Sequence, residues 1–309
     1  MLRSMYSGIS GLKNFQTKLD VIGNNIANVN TFGFKKSRVV FKDMMSQNMT
    51  GASGPTGVDP DAPTRGGTNA RQVGLGAQLA AIDTIHTGGN LQSTGRPLDL
   101  AISGDGYFVV GQYNQDGELV DYSYTRAGNF YLDQQGNLVN GDGYFVVGAG
   151  GEPAPEADFK DGVEEQPGEA GEPITDPRKI TIPVNAKEMT IGPDGTVNYI
   201  AGPDDPNGGE EGQLMTAGKI IFAKFSNAEG LQKSGNNLFS PTANSGLPLF
   251  NYAVTSGIGA VATSTLEMSN VDLSEEFTEM IVAQRGFQAN TRIITTSDEI
   301  LQELVNLKR

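Results

Sequence analysis

The side chains able to do chemistry in this sequence are few and scattered. One histidine, His86, stands among 309 residues, and there is no cysteine. Disulfides, thiolate metal sites, multi-histidine centres and a cysteine nucleophile are thereby excluded. His86 lies in Asp83-Thr84-Ile85-His86-Thr87, which alternates like a strand. Three residues apart on a strand, Asp83 and His86 face opposite sides. His86 is therefore expected to be a surface or packed residue. No G-x-S-x-G marks a serine nucleophile, while the 36 acidic residues offer many accidental carboxylate pairs and so leave paired-carboxylate catalysis open. Asp116-Gly117-Glu118 and Pro193-Asp194-Gly195 lack the alternating acidic ligands and closing glutamate of a calcium loop, and read as hairpin turns. Gly74-Leu75-Gly76 and Gly148-Ala149-Gly150-Gly151 open no amphipathic helix, so neither is a phosphate cradle. No catalytic residue, cofactor or metal site is expected.

Charge is unevenly spread. The net charge is −14, which argues against bulk nucleic-acid binding. Residues 1–42 carry seven basic side chains against Asp20 alone, whereas residues 149–212 carry fifteen acidic side chains against four basic. The acidic middle reads as a solvated surface. The basic start and the acidic stretch 266–309 attract each other over long range. No apolar run reaches 18 residues, so no transmembrane helix and no membrane insertion are expected. Residues 1–20 lack the continuous apolar stretch and cleavage site of a secretory signal.

The elements that must position any interaction lie at the two ends. Leu2, Met5, Ile9, Leu12, Leu19 and Ile26 alternate at spacings of three and four, with Gln16 and Gly23 filling the gaps; Phe15, Ile22 and Val29 form a second seven-residue row. This predicts an amphipathic helix over 2–28, roughly 40 Å long. Leu273, Met280, Phe287, Ile294 and Leu301 repeat every seven residues, and Phe277, Ile281, Leu304 and Val305 widen the stripe. A second helix is predicted over 272–307, with Asp272 and Glu275 as a capping box. The β-branched stretch Thr291–Thr296 opposes it.

Between the ends, short alternating runs are cut by Gly, Asp and Asn, an all-β pattern. Strands are predicted at 101–102, 107–110, 122–126, 130–132, 144–147, 179–182, 196–200 and 220–225. Gly104–Gly111 recurs as Gly141–Gly148, which predicts two equivalent turn-then-strand units in one β-domain. Residues 43–70 read as a linker, and residues 150–178 as an exposed or partly disordered insertion. The expected fold is α+β and multi-domain: a mainly β body with terminal helices forming a coiled-coil-like layer. The expected division is 1–30 (helix), 31–70 (extended linker), 71–148 (β-body), 149–212 (acidic outer region), 213–268 (β-body return) and 269–309 (helix). Lys13, Lys18, Lys35, Lys36, Arg38 and Lys42 would suit an anionic membrane surface. A coiled-coil role, however, uses both ends. Asn24, Asn25, Asn28 and Asn30 admit two readings: a fraying, solvated helix end, or amides bonded across a helix–helix or subunit contact to Gln284, Gln288 or Asn290.

Ser7-Gly8-Ile9, Leu19 through Asn28, and Asn30-Thr31-Phe32-Gly33-Phe34-Lys35 resemble the N-terminal signature of bacterial flagellar rod and hook proteins. Ser269 through Leu273, Ile281 through Phe287, Thr296 through Glu299 and Leu304 through Leu307 resemble their C-terminal domain, and Leu98–Val110 their β-body. Within the family, Arg285 through Asn290 and the closing Leu304–Arg309 resemble the hook type, in a short form, more than the distal rod.

The resemblance implies a non-enzymatic subunit that self-assembles into a flexible helical tube outside the cell, a universal joint that transmits torque from rod to filament. Such a subunit is exported by the flagellar type III apparatus without signal-peptide cleavage. Its implied neighbours are further copies of itself, the distal rod protein, the hook cap and hook–filament junction proteins. The implied packing residues are Leu2, Met5, Ile9, Leu12, Phe15, Leu19, Ile22, Asn24, Asn25, Ile26 and Asn28, with Leu273, Phe277, Met280, Ile281, Gln284, Phe287, Asn290, Ile294, Leu301 and Leu304. The two alternatives are a rigid distal-rod subunit and a secreted carbohydrate-binding β-protein.

Overall fold

A computed structural model describes residues 2–55, 65–114, 119–150, 177–203, 209–255 and 257–307. Two compact units divide the chain. Unit 1 is residues 1–27, 37–84 and 272–309; unit 2 is residues 28–36 and 85–271. Segment 37–84 belongs with the helices, where the sequence-based division placed most of it in a linker and the rest in the β-body.

Unit 1 contains both predicted helices, α1 (Leu2–Ala27) and α2 (Leu273–Leu307). Gly8, Gly11 and Gly23 lie inside α1. Each costs about 1 kcal/mol of intrinsic helix propensity, so α1 depends on packing for its stability. Asp272 starts α2, its Oδ1 accepting the Ser274 N–H at 2.8 Å. That is the aspartate half of the expected capping box, and its charge suits the positive end of the helix dipole. The β-branched stretch stays helical. The hydroxyls of Thr291, Thr295, Thr296 and Ser297 donate to carbonyls three or four residues back, which removes their competition for other backbone groups.

The expected linker is largely a β-ribbon. Ser37–Asp43 pairs antiparallel with Ala77–Thr84, and Gln47–Thr50 with Arg71–Val73. The Ser53 and Thr68 hydroxyls lie 2.7 Å apart beyond the second pair. Its outer strands are fully exposed, so they carry no apolar alternation, which is why the sequence hid them. Residues 56–64 lie outside the described residues.

Unit 2 is an antiparallel β-body built on a 13-stranded sheet. Strand Tyr107–Tyr113 is central and buried on both faces. Phe108 and Val110 enter one apolar core with Leu100, Phe130, Val146, Ile220 and Phe222. Tyr107 and Val109 enter a second with Leu119, Tyr124, Val147 and Phe239. A strand covered on both faces reads as a continuous apolar run, as Tyr-Phe-Val-Val does. Its sequence repeat is its neighbour: Phe145–Ala149 pairs with it, Val146 opposite Val110. Gly106 and Gly143, equivalent in the two copies, both take positive φ at +127° and +85°, a conformation open mainly to glycine.

The predicted strands are present with shifted ends, and the run 220–225 is split into Leu214–Ile220 and Phe222–Lys224. The described part of the expected outer region belongs to the body, since Ile180, Ile182, Val197 and Tyr199 are core residues. The predicted turn at Gln115-Asp116-Gly117 and most of the 150–178 insertion fall outside the described residues.

Candidate assembly surface on the terminal helices

The two helices of unit 1 run antiparallel. Ascending α1, Gly8 meets Ile294, Gly11 meets Asn290, Phe15 meets Gly286, Lys18 meets Glu279 and Asn25 meets Glu276. The seam is 8-11-15-18-22-25, turned away from the predicted row 2-5-9-12-19-26, and it contains the second row, Phe15 and Ile22. Its contacts set glycine against Ile294, Asn290 and Phe15, with polar pairs at Lys18–Glu279 and Asn25–Glu276. A Cβ on Gly286 would lie 2.5 Å from the Phe15 ring, and one on Gly11 would lie 2.9 Å from the Asn290 amide. At these two glycines the helices approach too closely for a side chain to fit without a shift of its neighbour. Ala283 and Ile22 are buried here. Phe15 also stacks edge-on against Phe41 of the ribbon, 6.2 Å between ring centres.

At one end of the seam, Asn25 is 1% exposed. Its Nδ2 donates to the Ser37 carbonyl at 2.9 Å and to the Glu276 carboxylate at 3.2 and 3.3 Å. Its Oδ1 accepts the Ser37 N–H at 3.0 Å. Of the asparagine cluster, this one bonds across helices, and its partner is Glu276 rather than Gln284, Gln288 or Asn290. Asn28, in unit 2, instead accepts from Thr31 in a turn, and Asn24 is exposed. Asn290 faces Gly11 and donates to its own helix at Gly286.

Because small residues occupy the seam, bulky ones face outward. Ile9 is 50% exposed, Phe277 49%, Ile281 58% and Leu304 48%. Leu273, Phe287 and Gln284 are also exposed. Met5, Leu12, Leu19, Ile26, Met280, Ile294 and Leu301 are partly covered. The Leu2 side chain lies outside the described residues. Tyr6, Val282, Ile293 and Ile300 are further exposed apolar residues on these helices and were absent from the predicted set. Single exposed apolar residues are ordinary, but this many on two paired helices exceed what a finished surface shows.

The residues with chemical potential are structural. In unit 2 the signature lysine, Lys35, is buried against Glu267 and donates to the Thr87 carbonyl at 2.8 Å. Arg126 reaches the same carboxylate at 3.3 Å. Burial holds the Lys35 pKa below the usual ammonium range despite the Glu267 charge beside it. His86 Nδ1 lies 2.7 Å from the Tyr107 hydroxyl, with its ring edge-on to Phe239. Burial first, then the Lys35, Arg126 and Lys233 charges, push His86 down to about 4. Burial also pushes Tyr107 up to about 12. No group of three or more His, Cys, Asp or Glu able to hold a metal occurs among the described residues, and no helix there is long and apolar enough to cross a membrane.

Comparison with known proteins gives the same picture along the whole chain. Three family models match: "Flagella basal body rod protein" at residues 5–35, "Flagellar hook protein FlgE/F/G D1 domain" at 101–199, and "Flagellar basal body rod FlgEFG protein C-terminal" at 262–307. The flagellar basal-body rod protein FlgG of Bacillus subtilis is 52% identical over 310 residues, covering all of both chains. The FlgG protein of Caulobacter vibrioides is 34% identical over 308 residues, covering 99% of this chain and all of its own. The flagellar hook protein FlgE of Borreliella burgdorferi is 34% identical over 454 residues, covering all of both chains. The chain therefore belongs to the flagellar hook and basal-body rod protein family, whose members are structural proteins and not enzymes.

Proposed function

We propose that this chain is a self-assembling subunit of the flagellar basal-body rod, built into a helical tube through the outward apolar rows of its two terminal helices. One observation carries the proposal. The intrachain seam uses Gly8, Gly11, Ala283, Gly286 and the Asn25–Glu276 pair, while Ile9, Phe277, Ile281 and Leu304 stay in solvent. Covering the exposed half of such side chains is worth roughly 1 kcal/mol each. A same-chain partner has already been used, so further copies are the natural cover. Contacts of this kind join different patches and propagate helically instead of closing.

The rod reading is placed before the hook reading on length as well as identity. The chain aligns with the Bacillus rod protein over 310 columns, whereas the Borreliella hook protein needs 454 for a chain of 309 residues. The hook reading, first on the sequence, keeps full coverage of that hook protein in its favour. Hook cap and hook–filament junction partners belong to it; other axial proteins and the flagellar export apparatus belong to both. Deleting residues 1–27 tests the assembly claim. The shortened chain should retain the β-body, whose residues all lie elsewhere, and should form no polymer. Normal polymer from it refutes the claim. Electron microscopy of wild-type polymer separates the readings, a straight cylinder supporting rod and a curved one hook.

A further inference from the structure

The chain passes between its units at four peptide bonds, after residues 27, 36, 84 and 271. A single extended strand carries tension but little twist, since φ and ψ rotate freely about each α-carbon. Several strands bound to one another resist twist together. In each unit one asparagine binds the strand ends that lead out.

In unit 1 this residue is Asn25. Through its Ser37 and Glu276 bonds it joins the end of α1, the first residue of the ribbon and the first turn of α2. In unit 2 it is Asn270. Its Oδ1 accepts the Lys36 N–H at 2.7 Å, and its Nδ2 donates to the Ile85 carbonyl at 2.8 Å and the Thr87 hydroxyl at 3.1 Å. The Ile85 N–H donates in turn to the Lys36 carbonyl at 2.9 Å, and the Gly33 N–H to the Glu267 carbonyl at 2.8 Å. Residues 36, 85 and 270, at three of the four exits, are thus one hydrogen-bonded cluster, backed by the buried Glu267. Asparagine suits both places because one planar amide donates and accepts at once. Aspartate would lose the donors, and leucine would lose everything.

We propose that Asn25 and Asn270 are junction staples that make the chain crossings one mechanical element, so that torque entering the terminal helices reaches the β-body through several strands in parallel. This rests on the axial-tube reading above and adds the means by which such a subunit resists twisting. Both residues are positioning residues.

The test replaces each in the full-length chain. In Asn270→Ala, the Lys36 amide should exchange about tenfold faster, the loss of roughly one hydrogen bond; in Asn25→Ala the same should hold for Ser37. Cells carrying Asn270→Ala should build flagella of normal number and length, yet their tethered rotation should fail as external load is raised. Asn270 bonds within unit 2 only, so this variant leaves the helix seam intact even if Asn25→Ala does not assemble. Unchanged Lys36 exchange, normal rotation under load, or failure of Asn270→Ala to assemble each overturns the proposal. Failure of the wild-type chain to polymerise overturns the underlying reading instead, and this proposal with it.

Discussion

Unit 1 and unit 2 are made from the same chain but are finished to different degrees. By sequence, unit 1 holds eleven basic and twelve acidic residues, whereas unit 2 holds eleven and twenty-four. Twelve of unit 2's thirteen excess negative charges lie in residues 115–118, 151–176 and 204–208, outside the described residues. The β-body also buries its large side chains completely: Phe108, Tyr124, Phe130, Ile220 and Phe222 are fully covered. The paired helices cover Gly8, Ile22 and Ala283 but leave Ile9, Phe277 and Ile281 about half exposed. A unit that closes its own core needs little further cover, whereas paired helices with exposed apolar residues do need it. The contrast is between a closed core and an open pair of helices.

The same substitution made in each unit should give opposite results. Phe222→Ala removes a fully buried ring that packs 5.4 Å from Phe108 and should cost the β-body about 3–5 kcal/mol, read by denaturant unfolding. Phe277→Ala removes a half-exposed ring. It should leave monomer stability within about 0.5 kcal/mol while raising the concentration needed for assembly. Equal stability losses from both would break the contrast.

Acid should weaken unit 2 through His86. The folded state holds its pKa near 4, below the unfolded value of about 6.5. Below the unfolded value the unfolded chain binds a proton that the folded chain refuses. Stability therefore falls as pH drops from about 6.5 and levels off near 4, by at most about 3 kcal/mol. His86→Phe should flatten that part of the pH profile, measured by thermal unfolding at low and neutral pH; an unchanged slope contradicts the assignment.

The smallest effect sharpens the picture of the seam. Glycine to alanine inside a helix normally stabilises by about 1 kcal/mol. Gly286→Ala should instead destabilise unit 1 by roughly 1–3 kcal/mol, because the new methyl meets the Phe15 ring. Stabilisation in a denaturant titration would mean that the helices do not approach as closely as the structure shows.

What could be read in the sequence depended on where the cover comes from. Both helices, the repeated Gly-Asp-Gly-Tyr-Phe-Val-Val strand and most β-body strands were legible, because apolar periodicity reports any burial. The same signal is silent on the partner. The row Leu2, Met5, Ile9, Leu12 was visible, but nothing in it says that Gly8 and Gly11 take the intrachain contact. That follows only once Gly286 and Asn290 are placed opposite. The antiparallel pairing likewise sends Asn25 to Glu276 instead of to glutamines further along α2. The polar strands 47–50 and 71–73 were missed because exposed strands carry no alternation, and Lys35–Glu267 because 232 positions separate its members. The Lys35 signature position was seen, but not its buried charge.

Sedimentation of full-length protein across a concentration series, beside a variant carrying Phe277→Asp and Ile281→Asp, tests the central claim most directly. Both side chains are in water in the isolated chain, so the variant should fold as the wild type does. The account predicts concentration-dependent polymer from the wild type and a folded monomer from the variant. Polymer of equal extent from both, or a wild type that stays monomeric at every concentration, contradicts it.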